Sequence, residues 1–244
     1  MTVLVLGGTA EARELAEALH REGVAVVSAL AGRTSAPRLP AGAVRVGGFG
    51  GADGLAAFLR DGDVRAVVDA THPFASQITA RAAAACGATG TPLLRLERPG
   101  WNPAPGDRWR WVDDLEGAAR AIPEGARVLL ALGRQHVVAF AGVDHAWFLV
   151  RAIERPDPPL PPQHDVVLDR GPYDLAAERA LLERHAIDLV VTRDAGGAGA
   201  RAKLDAAREL GVAVLVVRRP ALPAGLRTVA TLDEAVAWVT GPGS

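Results

Sequence analysis

Two glycines and a threonine follow a short apolar stretch near the start of the chain, a combination that can bind phosphate. Val3–Leu6 predicts a buried strand, Gly7-Gly8-Thr9 a tight turn, and the residues from Ala10 a helix with apolar positions one turn apart. A helix N-terminus behind glycines offers backbone N–H groups to an anion. The match to G-x-G-x-x-G is incomplete, because Thr9 and Ala12 replace two of the three glycines. The stretch therefore favours a dinucleotide pyrophosphate site; the alternative is a ligand-free strand-to-helix turn.

A second set of candidate residues follows the next predicted strand, Val24–Leu30. In NAD-binding sites this strand ends with an acid that holds the adenine ribose, whereas here the chain continues into Arg33, Thr34 and Ser35. A guanidinium and hydroxyl groups suit the oxygens of a 2′-phosphate. This loop therefore indicates NADPH as the cofactor, and the competing interpretation is a solvent-exposed loop arginine.

Thr71-His72-Pro73-Phe74 follows another apolar strand, Val64–Ala70. Because parallel strands present their carboxyl ends at one sheet edge, this loop should lie beside the glycine turn. His72 is either an acid or ligand contact, or a turn residue that hydrogen-bonds backbone. Phe74 belongs either to the core or to an apolar wall of the site. The remaining histidines show no metal-ligand spacing, so we expect no metal site.

The second half of the chain carries cations at matching positions. Arg134 stands where the first glycine turn would need room for a phosphate, so a second dinucleotide is not expected there. A glycine-rich loop before a helix is an anion seat, and flanking cations strengthen it. We therefore expect a substrate with several carboxylates, although each arginine taken alone is as well explained as a solvated surface group. The candidate residues are Arg134, Arg193, Gly196, Gly197 and Lys203.

The elements that must position these residues repeat along the chain. Gly211–Pro220 matches Gly90–Pro99 closely, and Ile187–Val191 matches Val64–Val68. The pattern predicts an α/β fold of two Rossmann-like parallel-sheet lobes, residues 1–124 for NADPH and residues 125–244 mainly for substrate, with the active-site cleft between them. Both lobes end in the same strand-helix piece, so the sequence leaves open whether these pieces are exchanged.

Composition narrows the class of protein. The chain has 244 residues, 49% of them hydrophobic, and a net charge of −1. A near-neutral balance argues against a dedicated nucleic-acid or anionic-membrane binder, and no apolar run is long enough to span a bilayer. The single cysteine, Cys86, excludes an internal disulfide. No targeting segment is evident, so we expect a cytoplasmic protein, and a monomer.

Several of these motifs together resemble the precorrin-6A reductase family of cobalamin biosynthesis over nearly the whole chain. The most specific are Asp69–Ala75, which reads Asp-Ala-Thr-His-Pro-Phe-Ala, and Arg95–Trp101, which reads Arg-Leu-Glu-Arg-Pro-Gly-Trp. One departure concerns Asp194-Ala195, where the family commonly has Asn-Ser. The other matching stretches are Leu6–Arg13, Ala31–Thr34, Val46–Gly51, Gly196-Gly197 with Lys203-Leu204, and Val217–Pro220.

The resemblance implies NADPH-dependent reduction of a double bond in a macrocyclic tetrapyrrole that carries many carboxylates. It places the pyrophosphate at the glycine turn, the 2′-phosphate at Arg33 and Thr34, and the nicotinamide near Thr71 and His72. The proton donor is left open between His72 and water. Two alternatives remain: a reductase of the cobalt-containing macrocycle, and a non-catalytic NADPH-sensing module. The cofactor residues implied are Gly7, Gly8, Thr9, Ala10, Glu11, Arg33, Thr34, Ser35, Thr71 and His72; the substrate residues are Phe74, Arg134, Arg193, Gly196, Gly197 and Lys203.

Overall fold

The computed structural model describes residues 2–31, 39–171 and 173–241. The predicted 2′-phosphate ligands, Arg33, Thr34 and Ser35, lie outside them. Up to Pro99 the elements are β1 (Thr2–Leu6), α1 (Ala10–Arg21), β2 (Val26–Leu30), β3 (Ala43–Val46), α2 (Gly51–Asp61), β4 (Val64–Asp69), α3 (Ser76–Thr89) and β5 (Leu93–Leu96). They continue with β6 (Trp109–Val112), α4 (Leu115–Arg120), β7 (Arg127–Ala131), a 3₁₀ helix (Arg134–Phe140), β8 (Trp147–Ala152), β9 (His164–Leu168), α5 (Leu175–Arg184), β10 (Leu189–Arg193), α6 (Ala202–Leu210), β11 (Ala213–Val217), β12 (Arg227–Val229) and α7 (Leu232–Thr240).

These strands form two six-stranded sheets with the same order of equivalent strands. The first runs β12-β5-β4-β1-β2-β3 and the second β6-β11-β10-β7-β8-β9, and neighbouring strands in both are parallel. The strand order changes direction between β1 and β4 in the first sheet and between β7 and β10 in the second, which is the arrangement of nucleotide-binding α/β folds. The predicted α/β fold with two Rossmann-like parallel sheets is confirmed.

The two edge strands β6 and β12 are exchanged relative to chain order. β6 follows β5 along the chain but pairs with β11, and β12 follows β11 but pairs with β5. The compact units are therefore Met1–Pro99 with Pro220–Ser244, and Gly100–Arg219. This division differs from the predicted one at residue 124, since each terminal strand-helix piece lies in the other sheet. Backbone pairing at a sheet edge does not distinguish two pieces of such similar sequence.

The first sheet is covered by helices on both faces. Along β1, Val3 and Val5 pack with α1 and α7, whereas Leu4 and Leu6 pack with α2 and α3. Alternate side chains of a strand point to opposite faces, so an unbroken apolar strand needs helices on both sides. This packing holds the carboxyl end of β1, and with it the glycine turn, in a fixed place.

The two units differ directly after their first strand. In the first unit α1 follows β1 with 12 residues, whereas in the second a short 3₁₀ helix, Arg134–Phe140, follows β7.

Within the described residues, none of the helices has the length and apolar content needed to cross a membrane.

Candidate functional site

The glycine turn of the first unit is held by the side chain of Thr9. Its hydroxyl accepts a hydrogen bond from the Ala12 backbone N–H at 3.0 Å, which caps α1, and donates to the Ala70 carbonyl at 2.8 Å. The second bond ties the start of α1 to the end of β4. Gly8 has φ of +115°, which other residues rarely adopt. The Thr9 hydroxyl is thus used by the protein itself, and the first-turn N–H groups of α1 are the donors that this turn offers to a ligand.

A shallow cleft lies at this edge of the first sheet. It brings together predicted residues from the α1 start and from the loop after β4, and it adds Arg98, which follows β5. The carboxylate of Glu11 and the guanidinium of Arg98 form a salt bridge of 2.6 Å. The cleft is lined by Thr9, Glu11, Ala70, Thr71, Pro73, Leu96 and Arg98.

A fully buried ion pair lies next to this cleft. Asp69 at the end of β4 and Arg95 in β5 are both 0% exposed, and their side chains approach to 2.8 Å. Asp69 also accepts hydrogen bonds from the N–H and hydroxyl of Thr71, at 3.0 and 2.7 Å, and from the hydroxyl of Thr79 at 2.6 Å. Arg95 donates to the Thr71 hydroxyl at 2.9 Å and to Glu97 at 2.7 Å. The hydrogen bonds of this network hold Thr71 in place beside the cleft.

Sequence reasoning did not single out this ion pair as part of the site. The signal that was available is a charged residue inside an apolar strand, since Arg95 stands between Leu94 and Leu96. A charge in a strand that is buried on both faces requires a partner. Asp69, at the end of the neighbouring apolar strand, is directly opposite Arg95 in the parallel register.

His72 takes part in the turn that contains it. Its Nδ1 accepts a hydrogen bond from the Phe74 backbone N–H at 3.2 Å, so the neutral ring carries its proton on Nε2. The centres of the His72 and Phe74 rings are 5.9 Å apart, and both residues are half-buried. The backbone hydrogen bond expected for a turn histidine is therefore present, while a role as acid stays a prediction.

In the second unit, the predicted arginines have protein partners. Arg134 forms a salt bridge of 2.9 Å with Glu154, and both side chains are about one-third exposed. Arg193, at the end of β10, donates from Nη1 to His136 Nε2 at 2.8 Å. Burial lowers the pKa of the Arg193 guanidinium to about 10, so it remains charged at neutral pH.

Lys203 is buried at the start of α6. Its ammonium group donates to the Ala200 carbonyl and lies 4.9 Å from the centre of the Trp101 ring. Burial, together with the positive charges of Arg151 and Arg193, lowers its pKa from 10.5 to about 7, while Glu178 acts in the opposite direction. The side chain thus supports the loop before α6, and it can exist in either protonation state near neutral pH.

The glycine-rich loop after β10 is tied down by Trp101. The indole N–H of Trp101 donates to the Gly197 carbonyl at 2.8 Å, and its backbone N–H donates to Asp194 at 2.9 Å. Arg219 lies 3.1 Å from the other oxygen of the Asp194 carboxylate. Gly196 and Gly197 have φ of +66° and +68°. The departure at Asp194 from the family pattern therefore serves contacts inside this unit.

A second buried ion pair, between Arg151 and Glu178, was also not predicted from the sequence. Their side chains are 2.9 Å apart and less than 10% exposed, and the Arg151 guanidinium lies 4.1 Å from the centre of the Tyr173 ring. Two buried residues, Arg151 and Lys203, and the half-buried Arg193 are close enough for the two arginines to affect the pKa of Lys203. This charge distribution suits an anionic ligand.

Comparison with known proteins gives consistent results. The family model described as "Precorrin-6x reductase CbiJ/CobK" matches residues 2–240. A precorrin-6A reductase of Rhodococcus erythropolis is 53% identical over 239 residues, covering 97% of this chain and 96% of that protein. A cobalt-precorrin-6A reductase of Priestia megaterium is 28% identical, covering 96% of each chain. A solved structure titled "CobK precorrin-6A reductase" is similar with a TM-score of 0.92 and 45% identity, covering 98% of this chain and 96% of that one.

Proposed function

The chain belongs to the precorrin-6x reductase family CbiJ/CobK, and on that basis we propose that it reduces a double bond of precorrin-6A with NADPH in cobalamin biosynthesis. The observation that carries this proposal is the similarity to proteins named precorrin-6A reductase, which extends over nearly the full length of both chains. The cationic residues of the second unit support it, because the substrate is a polycarboxylate.

Two observations separate this proposal from its alternatives. Identity is much higher to the Rhodococcus protein than to the cobalt-precorrin-6A reductase of Priestia megaterium, 53% against 28%, which favours the metal-free macrocycle. A module that only senses NADPH would have no use for a second unit in which Arg151, Arg193 and Lys203 lie close together. The first observation favours a cobalt-free tetrapyrrole substrate, and the second favours a reductase over a sensing module.

The first unit has the features that a dinucleotide requires. Gly8 lacks a side chain at φ +115°, and α1 begins directly behind it, so backbone N–H groups face the cleft. NADPH, when bound, supplies a hydride from its nicotinamide ring. We assign the pyrophosphate to the turn at Gly8, Thr9 and Ala10, and the nicotinamide end to Thr71 and His72. The buried Asp69–Arg95 pair keeps Thr71 in place for that contact.

The second unit is assigned the substrate. Arg193 stays charged and projects from the end of β10, and Arg134 is partly exposed at the start of the 3₁₀ helix. Both can donate hydrogen bonds to a carboxylate. Gly196 and Gly197 offer backbone N–H groups, and Lys203, which contacts the Ala200 carbonyl of the same loop, adds positive charge when it is protonated. Phe74 is proposed as an apolar contact to the macrocycle.

Reduction also needs a proton. His72 carries a proton on Nε2 in its neutral form, because its Nδ1 already accepts a backbone hydrogen bond. We keep His72 and water as the two candidate donors. The cytoplasmic location and the monomeric state expected from the sequence stay predictions.

The function is tested by incubating the purified protein with NADPH and isolated precorrin-6A. We expect loss of NADPH absorbance in proportion to the macrocycle reduced, and little or no loss with the cobalt-loaded macrocycle. Turnover of the cobalt form alone would contradict the assignment, and NADPH binding without turnover of either macrocycle would favour the sensing module.

The choice of NADPH over NADH is tested separately by the variant Arg33→Ala. Loss of one guanidinium contact to a 2′-phosphate should raise the KM for NADPH by about tenfold and leave the KM for NADH nearly unchanged. Equal effects on both coenzymes would contradict the role of Arg33.

A further inference from the structure

The salt bridge between Glu11 and Arg98 occupies the place in the first unit where an anion is expected to bind. Glu11 is in the first turn of α1, and its carboxylate lies 2.6 Å from the Arg98 guanidinium. The two side chains are 34% and 18% exposed, and both line the cleft beside Thr9 and Thr71. The protein thus places its own carboxylate next to the glycine turn, with a cation bound to it.

The second unit shows a different arrangement at the equivalent position. By the match of Gly90–Pro99 to Gly211–Pro220, Arg98 corresponds to Arg219. Arg219 donates to the Asp194 carbonyl at 3.0 Å and pairs with the Asp194 carboxylate at 3.1 Å, so residues at the end of β10 hold it. In the strand register Leu6 pairs with Asp69 and Ala131 with Thr192, so the residue equivalent to Glu11 is His136, which contacts Arg193. The arginine is therefore common to both units, but its pairing with a carboxylate at a helix start is found in the proposed cofactor unit.

Electrostatics makes this pairing incompatible with a pyrophosphate at the same turn. The start of α1 favours negative charge, and Glu11 supplies it when no ligand is bound. A pyrophosphate at Gly8 and Thr9 would bring further negative charge beside the Glu11 carboxylate, and like charges in a partly desolvated cleft repel each other. Arg98 is the cation of the same cleft that can compensate for either anion.

We propose that Arg98 changes partner when the dinucleotide binds, from the Glu11 carboxylate to the pyrophosphate. This inference rests on the proposed function, since it takes the dinucleotide to bind at the glycine turn. Glu11 then acts as a competing internal anion and contributes to the site through its backbone N–H. Arg98 is a binding residue for the coenzyme phosphates, a role that the sequence had assigned to the turn alone.

The proposal predicts effects of opposite sign for the two members of one salt bridge. Arg98→Gln removes the cation and should raise the Kd for coenzyme by about tenfold or more, the usual size for loss of a charge-assisted hydrogen bond. Glu11→Gln removes the competing anion and should lower the Kd by roughly threefold. Because NADPH and NADH share the pyrophosphate, both shifts should be the same for the two coenzymes.

The experiment is a titration of the full-length protein with NADPH and with NADH, followed by coenzyme fluorescence. The variants are Glu11→Gln, Arg98→Gln and Arg98→Lys, the last keeping the charge in case Arg98→Gln folds poorly. Arg65→Gln is the matched control, because Arg65 lies near the amino end of β4, away from the cleft, and donates to the Val239 carbonyl. The control should leave both Kd values unchanged.

Opposite shifts from Glu11→Gln and Arg98→Gln, with a smaller loss for Arg98→Lys, support the exchange. Weaker binding in both glutamine variants, or no change in either, overturns it, because the salt bridge is then structural or unrelated to the coenzyme. A loss confined to NADPH also overturns it, since Arg98 would then contact the 2′-phosphate. Failure of the unmodified protein to bind either coenzyme rejects the proposed function, and the exchange with it.

Discussion

The two units have the same strand order but differ in one pair of buried residues that lie opposite each other on neighbouring strands. In the first unit Asp69 on β4 is opposite Arg95 on β5, and in the second the equivalent register pairs Thr192 with Val216. All four residues are almost fully buried. The sheet therefore forms with or without an ion pair at this place. Since two buried charges are costly to desolvate, the pair in the first unit is best explained by its bonds to Thr71, beside the cleft.

The units also differ in the turn that follows the first parallel strand of each. In the strand register Gly8 corresponds to Gly133 and Thr9 to Arg134, and the helix α1 corresponds to a short 3₁₀ helix. The second unit thus lacks both the space and the helix start that favour a dinucleotide. One architecture thus carries a glycine turn before a helix in one unit and an arginine at the start of a 3₁₀ helix in the other, through changes at a few loop positions.

The largest effect is expected from breaking the buried ion pair of the first unit. Asp69→Thr or Arg95→Val alone leaves a buried charge without its main partner and should lower the unfolding free energy by ~3–5 kcal/mol. The double variant copies the second unit and should recover a large part of that loss. Urea unfolding followed by circular dichroism measures all three. A double variant as unstable as the two single changes added together would show that Asp69 and Arg95 act independently and not as a pair.

The next effect concerns Lys203, whose pKa is lowered by burial to about 7 from 10.5. Between these two values the unfolded chain binds more protons than the folded one, so this residue makes the protein more stable as pH rises through that range. The variant Lys203→Met lacks this dependence. The unfolding free energy of the natural protein minus that of the variant should increase by roughly 2–4 kcal/mol from pH 6 to pH 10.

Unfolding of both proteins across that pH range provides the check, because titration of all other groups is common to the two. A difference that is constant with pH would show that Lys203 titrates normally. Arg208→Met is a suitable control, since Arg208 is partly exposed on the same helix.

A large side chain introduced into the glycine turn tests the difference between the units. Gly8→Arg introduces a side chain at φ +115° where the pyrophosphate is expected, and it should raise the Kd for NADPH at least ~100-fold, or about 2.7 kcal/mol. A titration by coenzyme fluorescence measures this. Unchanged binding would show that the dinucleotide does not use this turn.

The smallest effect is expected at Arg134 itself. Its salt bridge with Glu154 is partly exposed, so Arg134→Gln should change the unfolding free energy by less than ~1 kcal/mol. Steady-state kinetics should nevertheless show a higher KM for the macrocycle with little change in the KM for NADPH. A change confined to the KM for NADPH would mean that Arg134 contacts the coenzyme and not the substrate.

Much of the fold could be predicted because local patterns decide it. Val3–Leu6, Val64–Val68 and Val128–Leu130 are apolar runs that form strands buried on both faces, and Thr9 has the side chain of a helix cap. The glycine turn, the loop at Thr71 and His72, and the equivalence of the two halves follow from the order of these patterns. Their position at one sheet edge follows from parallel pairing.

The remaining features depend on contacts between residues far apart in the chain. The sequence by itself determined two similar α/β lobes and the loops that carry the chemistry, because helix and strand patterns are local. The tertiary structure alone decided that β6 and β12 are exchanged, that Asp69 pairs with Arg95, and that Arg98 reaches Glu11. The reason is physical: edge pairing uses backbone groups that every strand has, and the partner of a charge is set by which strand ends meet in space.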